Sequence, residues 1–153
     1  MDSRLEIEAV EYQAQTAAIE QIRIKVFQEE QGVPASLEFD GLDASATHLL
    51  AYLDRKPVAT ARIRAIDRTT VKIERLAVLP PYRHQGIARQ LMQFALSLAT
   101  RQGKALAVVH AQKYIAQLYK SLGFEIVGEE FSEAGILHVK MIGQLSSADS
   151  CQT

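Results

Sequence analysis

The segment Leu76-Ala77-Val78-Leu79-Pro80-Pro81-Tyr82-Arg83-His84-Gln85-Gly86-Ile87-Ala88-Arg89 constrains this chain more than any other. An apolar run that reads as a strand meets two prolines, which cannot continue a hydrogen-bonded ladder. A short polar loop follows, and Gly86 at its end opens into a run with Ala88, Leu91, Met92, Ala95 and Ala99 on one helical face. A buried strand feeds a helix here through a short loop, a unit that mixed α and β folds contain. It also places the loop amides and the unsatisfied donors of the first helical turn around one point, where a phosphate or pyrophosphate is well held. Neither G-x-x-x-x-G-K-[ST] nor G-x-G-x-x-G occurs, so the common nucleotide loops are excluded.

The remaining pattern is consistent with this frame. Leu5, Ile7 and Ala9 alternate with Arg4, Glu6 and Glu8, which predicts a first strand. A helix is expected from Ala17 to Gln31, ended by Gly32-Val33-Pro34, and then a loop or short helix over Ala35 to Ala46. Three strands, His48 to Leu53, Val58 to Ile66 and Val71 to Leu79, are separated by the turns Asp54 to Pro57 and Asp67 to Thr70, giving a meander. Gly103 should stop the helix that begins after Gly86, with Arg101 in its last turn. Ala105 to Val109 has no polar interruption and reads as a strand buried on both faces. A short helix is expected through Ile115, Leu118, Tyr119 and Leu122, then strands over Phe124 to Glu129 and Ile136 to Ile142 with a polar connection, Glu130 to Gly135. The order β, α, β meander, α, β, α, β, β implies an α/β chain with a mixed sheet.

Composition sets limits on function. With 153 residues and 48% hydrophobic content the chain suits one domain, expected over residues 1–145, with a polar and frayed tail over 146–153. Seventeen basic against 18 acidic residues leave a net charge of -1, so no global field favours nucleic acid or an anionic membrane. The single Cys151 excludes an internal disulfide and any cysteine-built cluster, and its place in the tail gives it no positioned base. No apolar run approaches the length of a membrane helix and the first residues do not read as a signal peptide, so a cytoplasmic location is the default expectation. His48, His84, His110 and His138 form no H-x-x-x-H pair and have no neighbouring cysteine, so no metal is expected; His110 and His138 are candidates to line a pocket.

Arg83, His84, Gln85, Gly86, Ile87 and Ala88 fill the pattern R/Q-x-x-G-x-G/A. Together with Glu74-Arg75-Leu76-Ala77-Val78 upstream and Ala116-Gln117-Leu118-Tyr119-Lys120-Ser121-Leu122-Gly123-Phe124 downstream, the chain resembles the GNAT superfamily of acyl-CoA-dependent N-acyltransferases. Val26-Phe27-Gln28-Glu29-Glu30-Gln31-Gly32-Val33-Pro34 and Asp40-Gly41-Leu42-Asp43 are similar to a branch of small bacterial members typified by ElaA and YjcF. The resemblance spans about Leu5 to Gly143. It implies a central mixed, mostly antiparallel sheet with a splayed parallel strand pair, flanked by helices. It also implies acetyl-CoA as acyl donor, direct attack by an amine of a small molecule or peptide, and no metal. Dimers are common in the family, so a homodimer is an open expectation.

Carried over by resemblance, Arg83 to Ala88 hold the diphosphate of the cofactor, with Arg83 and Arg89 adding charge-assisted bonds. Main-chain groups of Leu76, Ala77 and Val78 face the pantetheine and thioester, with the Val78 N–H as oxyanion donor. Many members place an asparagine where this chain has Lys113; the ElaA-like branch has Ala-Gln, matching Ala111-Gln112, so Gln112 takes that contact. Ala88 in place of glycine lies within the family pattern and leaves the loop slightly less permissive.

An attacking amine needs a base and a departing thiolate needs an acid. By alternation Glu74 lies on the face of Leu76, and burial would raise its pKa; a carboxylate paired with Arg62, Arg64 or Arg75 is the alternative. Tyr119 matches the family's tyrosine acid, and a core tyrosine beside Ile115 and Leu122 is the alternative. Glu29, Glu30, Glu38, Asp40 and Asp43 fall where this family builds its acceptor wall, which would favour a cationic amine unless they are merely solvated. Two further readings stay open at this level: a non-catalytic acyl-CoA-binding or sensing module, and an interaction domain that binds no nucleotide.

Overall fold

The computed structural model describes residues 4–145; the polar tail and Cys151 lie outside them. Among the described residues seven strands form one sheet in the order β1-β2-β3-β4-β5-β7-β6. They are β1 (Leu5–Glu11), β2 (Thr47–Leu53), β3 (Lys56–Ala65), β4 (Thr70–Val78), β5 (Leu106–Gln112), β6 (Glu125–Glu133) and β7 (Ile136–Gln144). Every neighbouring pair is antiparallel except β4 and β5. The helices are α1 (Thr16–Arg23), α2 (Ala35–Glu38), α3 (Ile87–Arg101) and α4 (Ala116–Ser121). Among the described residues no helix is long and apolar enough to cross a membrane.

The two faces of the sheet carry different cores. Leu91, Met92, Ala95 and Ala99 of α3 pack with Ile73 and Val78 of β4 and Val109 and Ala111 of β5. On the opposite face Ile19, Ile22, Val26 and Phe27 pack on Leu50 and Ala77. Small residues at Ala95 and Ala99 bring α3 close to the strands, and the helix ends where expected. The Lys104 N–H donates back to Ala99 O, and Gly103 takes φ +82, a conformation that favours glycine.

Two expectations need correction. The first helix is α-helical only to Arg23; Ile24–Glu30 winds more widely, and the Gln31 N–H reaches Val26 O five residues back. Widened turns of this kind recur at functional sites, and this one lies beside the cleft described below. The last hairpin is longer than its polar sequence suggests. Glu130 to Glu133 belong to β6, and the turn is only Ala134-Gly135, both with positive φ. β6 is an edge strand with little burial, so no apolar alternation marks it in the sequence.

Candidate active site

The loop between β4 and α3 alternates its backbone hand. His84 has φ +64 and Gly86 φ +83, and Gly86 caps the N-terminus of α3. The first main-chain bond of the helix is from the Gln90 N–H to Gly86 O. The N–H groups of residues 84–89 have no acceptor among the described residues. A curved row of free amides at the positive end of a helix is an anion cradle. A Cβ built on Gly86 meets nothing within 4 Å, so the glycine serves the left-handed turn and the open side of the loop, not internal packing.

Beside the cradle the sheet opens. β4 and β5 pair only from Thr70↔Leu106 to Lys72↔Val108 and then diverge. A bulge explains the divergence: β3 residues Arg62 and Thr60 oppose Glu74 and Ala77, so Arg75 and Leu76 share one place in the ladder. Arg75 sits at φ +56 and is tied to the end of α2 through Leu37 O and Glu38 O and to the segment after it through Asp40 Oδ2. Because the Leu79 N–H bonds Val58 O on β3, the polar groups of Val78 point the other way, into the gap. There Val78 O accepts from Arg83 Nε at 2.9 Å. The Val78 N–H faces the same gap.

The gap is the middle of a cleft of about 700 Å³, lined on one side by α4 and on the other by the wide turn, α2 and the segment after it. The bulge corrects the expected placement of Glu74. Leu76 packs toward α3, whereas Glu74 shares the opposite face with Ala77. The Glu74 carboxylate meets Arg62 Nη2 at 2.6 Å, Lys72 Nζ at 3.5 Å and the Arg64 guanidinium. Burial alone would raise its pKa, but the hydrogen bond from Arg64 and the charges of Arg62, Arg64 and Lys72 outweigh burial. The net shift is downward, opposite to the sequence expectation.

Tyr119 lies across the gap, on α4. It is 5% exposed, stands edge-on to Phe124 at 5.8 Å and lines the cleft. Its hydroxyl has no hydrogen-bond partner among the described residues, and it is not sealed from solvent. Burial pushes its pKa up, so it is a neutral donor at ordinary pH.

A family model for the acetyltransferase (GNAT) domain matches residues 9–145. The chain belongs to the GNAT acetyltransferase family. It is 34% identical to YjcF of Bacillus subtilis, described as an uncharacterized N-acetyltransferase, over 79% of this chain and 86% of YjcF. It is 32% identical to ElaA of Escherichia coli, over 88% of this chain and 91% of that protein. The crystal structure of E. coli ElaA superposes with a TM-score of 0.81, covering 92% of this chain and 99% of ElaA. A GNAT acetyltransferase from Elizabethkingia anophelis, solved with acetyl-CoA bound, shares the fold at a TM-score of 0.72 and 18% identity, over 92% of this chain and 98% of that one. The splayed parallel pair and flanking helices are thus the GNAT fold, and acyl transfer is the general activity of the family.

Several side chains of this GNAT domain are engaged differently from expectation. Arg83 donates through Nε to Val78 O and through both terminal nitrogens to Glu30, at 2.7 and 2.6 Å. It therefore clamps the loop base to the wide turn. Arg89 donates to Ser121 Oγ at 2.6 Å, joining α3 to α4 at the rim of the cradle. Gln112 and Gln31 exchange amide bonds, at 2.9 and 3.4 Å, and close a clasp across the cleft. His84 and Gln85 are exposed, Ile87 is buried and Ala88 lines the cleft.

The acidic cluster is not a free anionic wall. Arg23, fully buried, bonds Glu38 at 2.5 Å and Asp43 at 2.6 Å. Arg62, also fully buried, bonds Asp40 with both terminal nitrogens and Asp43 at 2.9 Å. Glu29 pairs with Lys25 and Glu30 with Arg83. The negative charge that favoured a cationic amine is neutralised within the protein. Sequence reasoning missed Gln31 and Glu133 because their partners, Gln112 and His110, lie 81 and 23 residues away, and no local spacing signals such pairs.

Proposed function

We propose that this GNAT domain transfers an acetyl group from acetyl-CoA to a primary amine by direct attack. The free amides of residues 84–89, opening on the splay between β4 and β5, carry this reading. They form an anion cradle whose donors suit a diphosphate, with the Arg89 side chain at its rim. The gap lets an extended pantetheine arm lie beside β4 as a further strand would, and the Val78 N–H is the donor for the thioester oxygen. A thioester supplies an activated carbonyl and a thiolate leaving group. Tyr119, neutral and unpaired at the α4 side, gives its proton to the departing sulfur. Gln112 meets the arm once its amide leaves Gln31.

Thiol release from acetyl-CoA, measured with tyramine, spermidine and lysine as acceptors, tests the reading. Tyr119→Phe should lower kcat by about 10²-fold or more and leave the acetyl-CoA Kd within about twofold. Binding of acetyl-CoA without thiol release from any acceptor would instead favour a sensing module.

A further inference from the structure

The acyl-transfer reading leaves the proton of the attacking amine unassigned, because three cations hold Glu74 in its ionised, weakly basic form. We propose that His110 accepts that proton, and that Glu133 is a positioning residue that sets its tautomer. The proposal rests on the cleft being an acyl-transfer site.

His110 lies two residues beyond Val108, the last residue of β5 paired with β4, so it stands at the mouth of the splay. Val109 and Ala111 are in the α3-side core, so His110 projects from the other face, which also carries Lys72 and Glu74. His110 Nδ1–H donates to Glu133 Oε1 at 3.2 Å. An ionised carboxylate only accepts, so the neutral ring carries its proton on Nδ1 and its lone pair on Nε2. Nε2 has no partner among the described residues, it is not sealed from solvent, and the ring lines the cleft. Phe131 stands edge-on to the ring at 5.1 Å and fixes its plane.

The charged groups around the ring favour its neutral form. Burial acts most strongly, and Lys72 of β4 and Lys140 of β7 oppose protonation while Glu133 of β6 favours it. The balance lowers the pKa. His138 of β7, on the far side of Phe131, commits its Nδ1–H to Ile136 O at 2.7 Å.

The two proton-transfer groups then sit on opposite faces of the sheet, Tyr119 on the α4 face and His110 on the other. The amine nitrogen approaches from the His110 side, and its lone pair forms the new C–N bond. The C–S bond breaks with its electron pair going to sulfur. One proton passes from nitrogen to His110 Nε2 and one from the Tyr119 hydroxyl to sulfur; transfer from the imidazolium to the phenolate, through water, restores both groups.

The test uses the full chain, acetyl-CoA, and whichever of tyramine, spermidine and lysine reacts fastest. His110→Gln should lower kcat by about 10²- to 10³-fold, keep the acetyl-CoA Kd within about twofold and abolish the acid limb of the kcat/KM profile. Glu133→Gln, at an exposed position, removes the favouring carboxylate and should move that limb to lower pH with a smaller loss of rate. In the wild type, 15N spectra of labelled histidine should show His110 at pH 7 with Nδ1 protonated and Nε2 bare. Retention of kcat within twofold in His110→Gln, persistence of the acid limb, or a proton on Nε2 would overturn the proposal while leaving acyl transfer intact. Absence of turnover by the wild type with every amine, despite acetyl-CoA binding, would overturn the acyl-transfer reading and this proposal together.

Discussion

The two ends of the cleft are built from different materials. The end proposed to hold the cofactor is mainly backbone: free amides of residues 84–89, a left-handed Gly86 and the Val78 N–H. The end proposed to admit the acceptor is mainly side chains: Glu38, Asp40, Glu74 and Arg75 line it, and the buried Arg23, Arg62 and Asp43 interlock with them from behind. Main-chain donors are fixed by chain path and need no charged partner. Buried ions need partners, and each partner takes part of the charge away from a ligand. A row of acids in the sequence therefore says little about the field in this cleft, whereas one loop with its glycine says much about where free main-chain donors gather.

The largest expected effect lies at the acceptor end. Arg62→Leu leaves Asp40, Asp43 and Glu74 short of their shared cation in a buried setting, and should cost about 3–5 kcal/mol in urea unfolding. Gly86→Asp should behave in the opposite way. It should lose only about 1 kcal/mol of stability from the left-handed turn but weaken acetyl-CoA binding at least about tenfold in calorimetry, since it sets a carboxylate in the cradle. If Gly86→Asp unfolds the chain while Arg62→Leu does not, the contrast between the two ends is wrong.

A smaller effect should appear with pH. His48 is buried, with Nε2–H donating to Asp43 O and Nδ1 without a partner among the described residues; burial first, then the charges of Arg23 and Arg62, lower its pKa. Asp43 and Glu74 also have lowered values, because their arginine partners outweigh burial. Each group binds protons more weakly folded than unfolded, so the unfolded chain takes up more protons and stability falls with pH. Urea midpoints should decline from about pH 6.5 downward through His48, then more steeply below about pH 4 as the carboxylates are protonated. A stability that rises between pH 7 and 5 would contradict the buried network. The smallest effect is expected for Lys25→Ala, which removes an exposed pair with Glu29 at 3.6 Å and should change stability by less than about 0.5 kcal/mol.

Much of the fold was legible because local rules governed it. The β4 loop, the α3 face and its Gly103 stop, the buried β5 and the meander follow from alternation, helical spacing and turn chemistry. The exceptions have physical causes. The wide turn after Arg23 keeps helical spacing of its apolar residues, so the pattern hides the change of pitch. β6 faces solvent and has no buried side to enforce alternation. The bulge at Arg75 reverses the face of everything after it, and a positive φ at an arginine leaves no mark in sequence.

By itself the sequence determined the layer order, the left-handed turn at Gly86 that opens α3 and the family, because these rest on main-chain geometry and on contacts between near neighbours. Only the tertiary structure decided which charges survive in the cleft. Arg83 meets Glu30 across 53 residues, Arg62 meets Asp40 across 22, and His110 meets Glu133 across 23. Electrostatic free energy depends on distance and burial, and both are set by where the chain returns to itself.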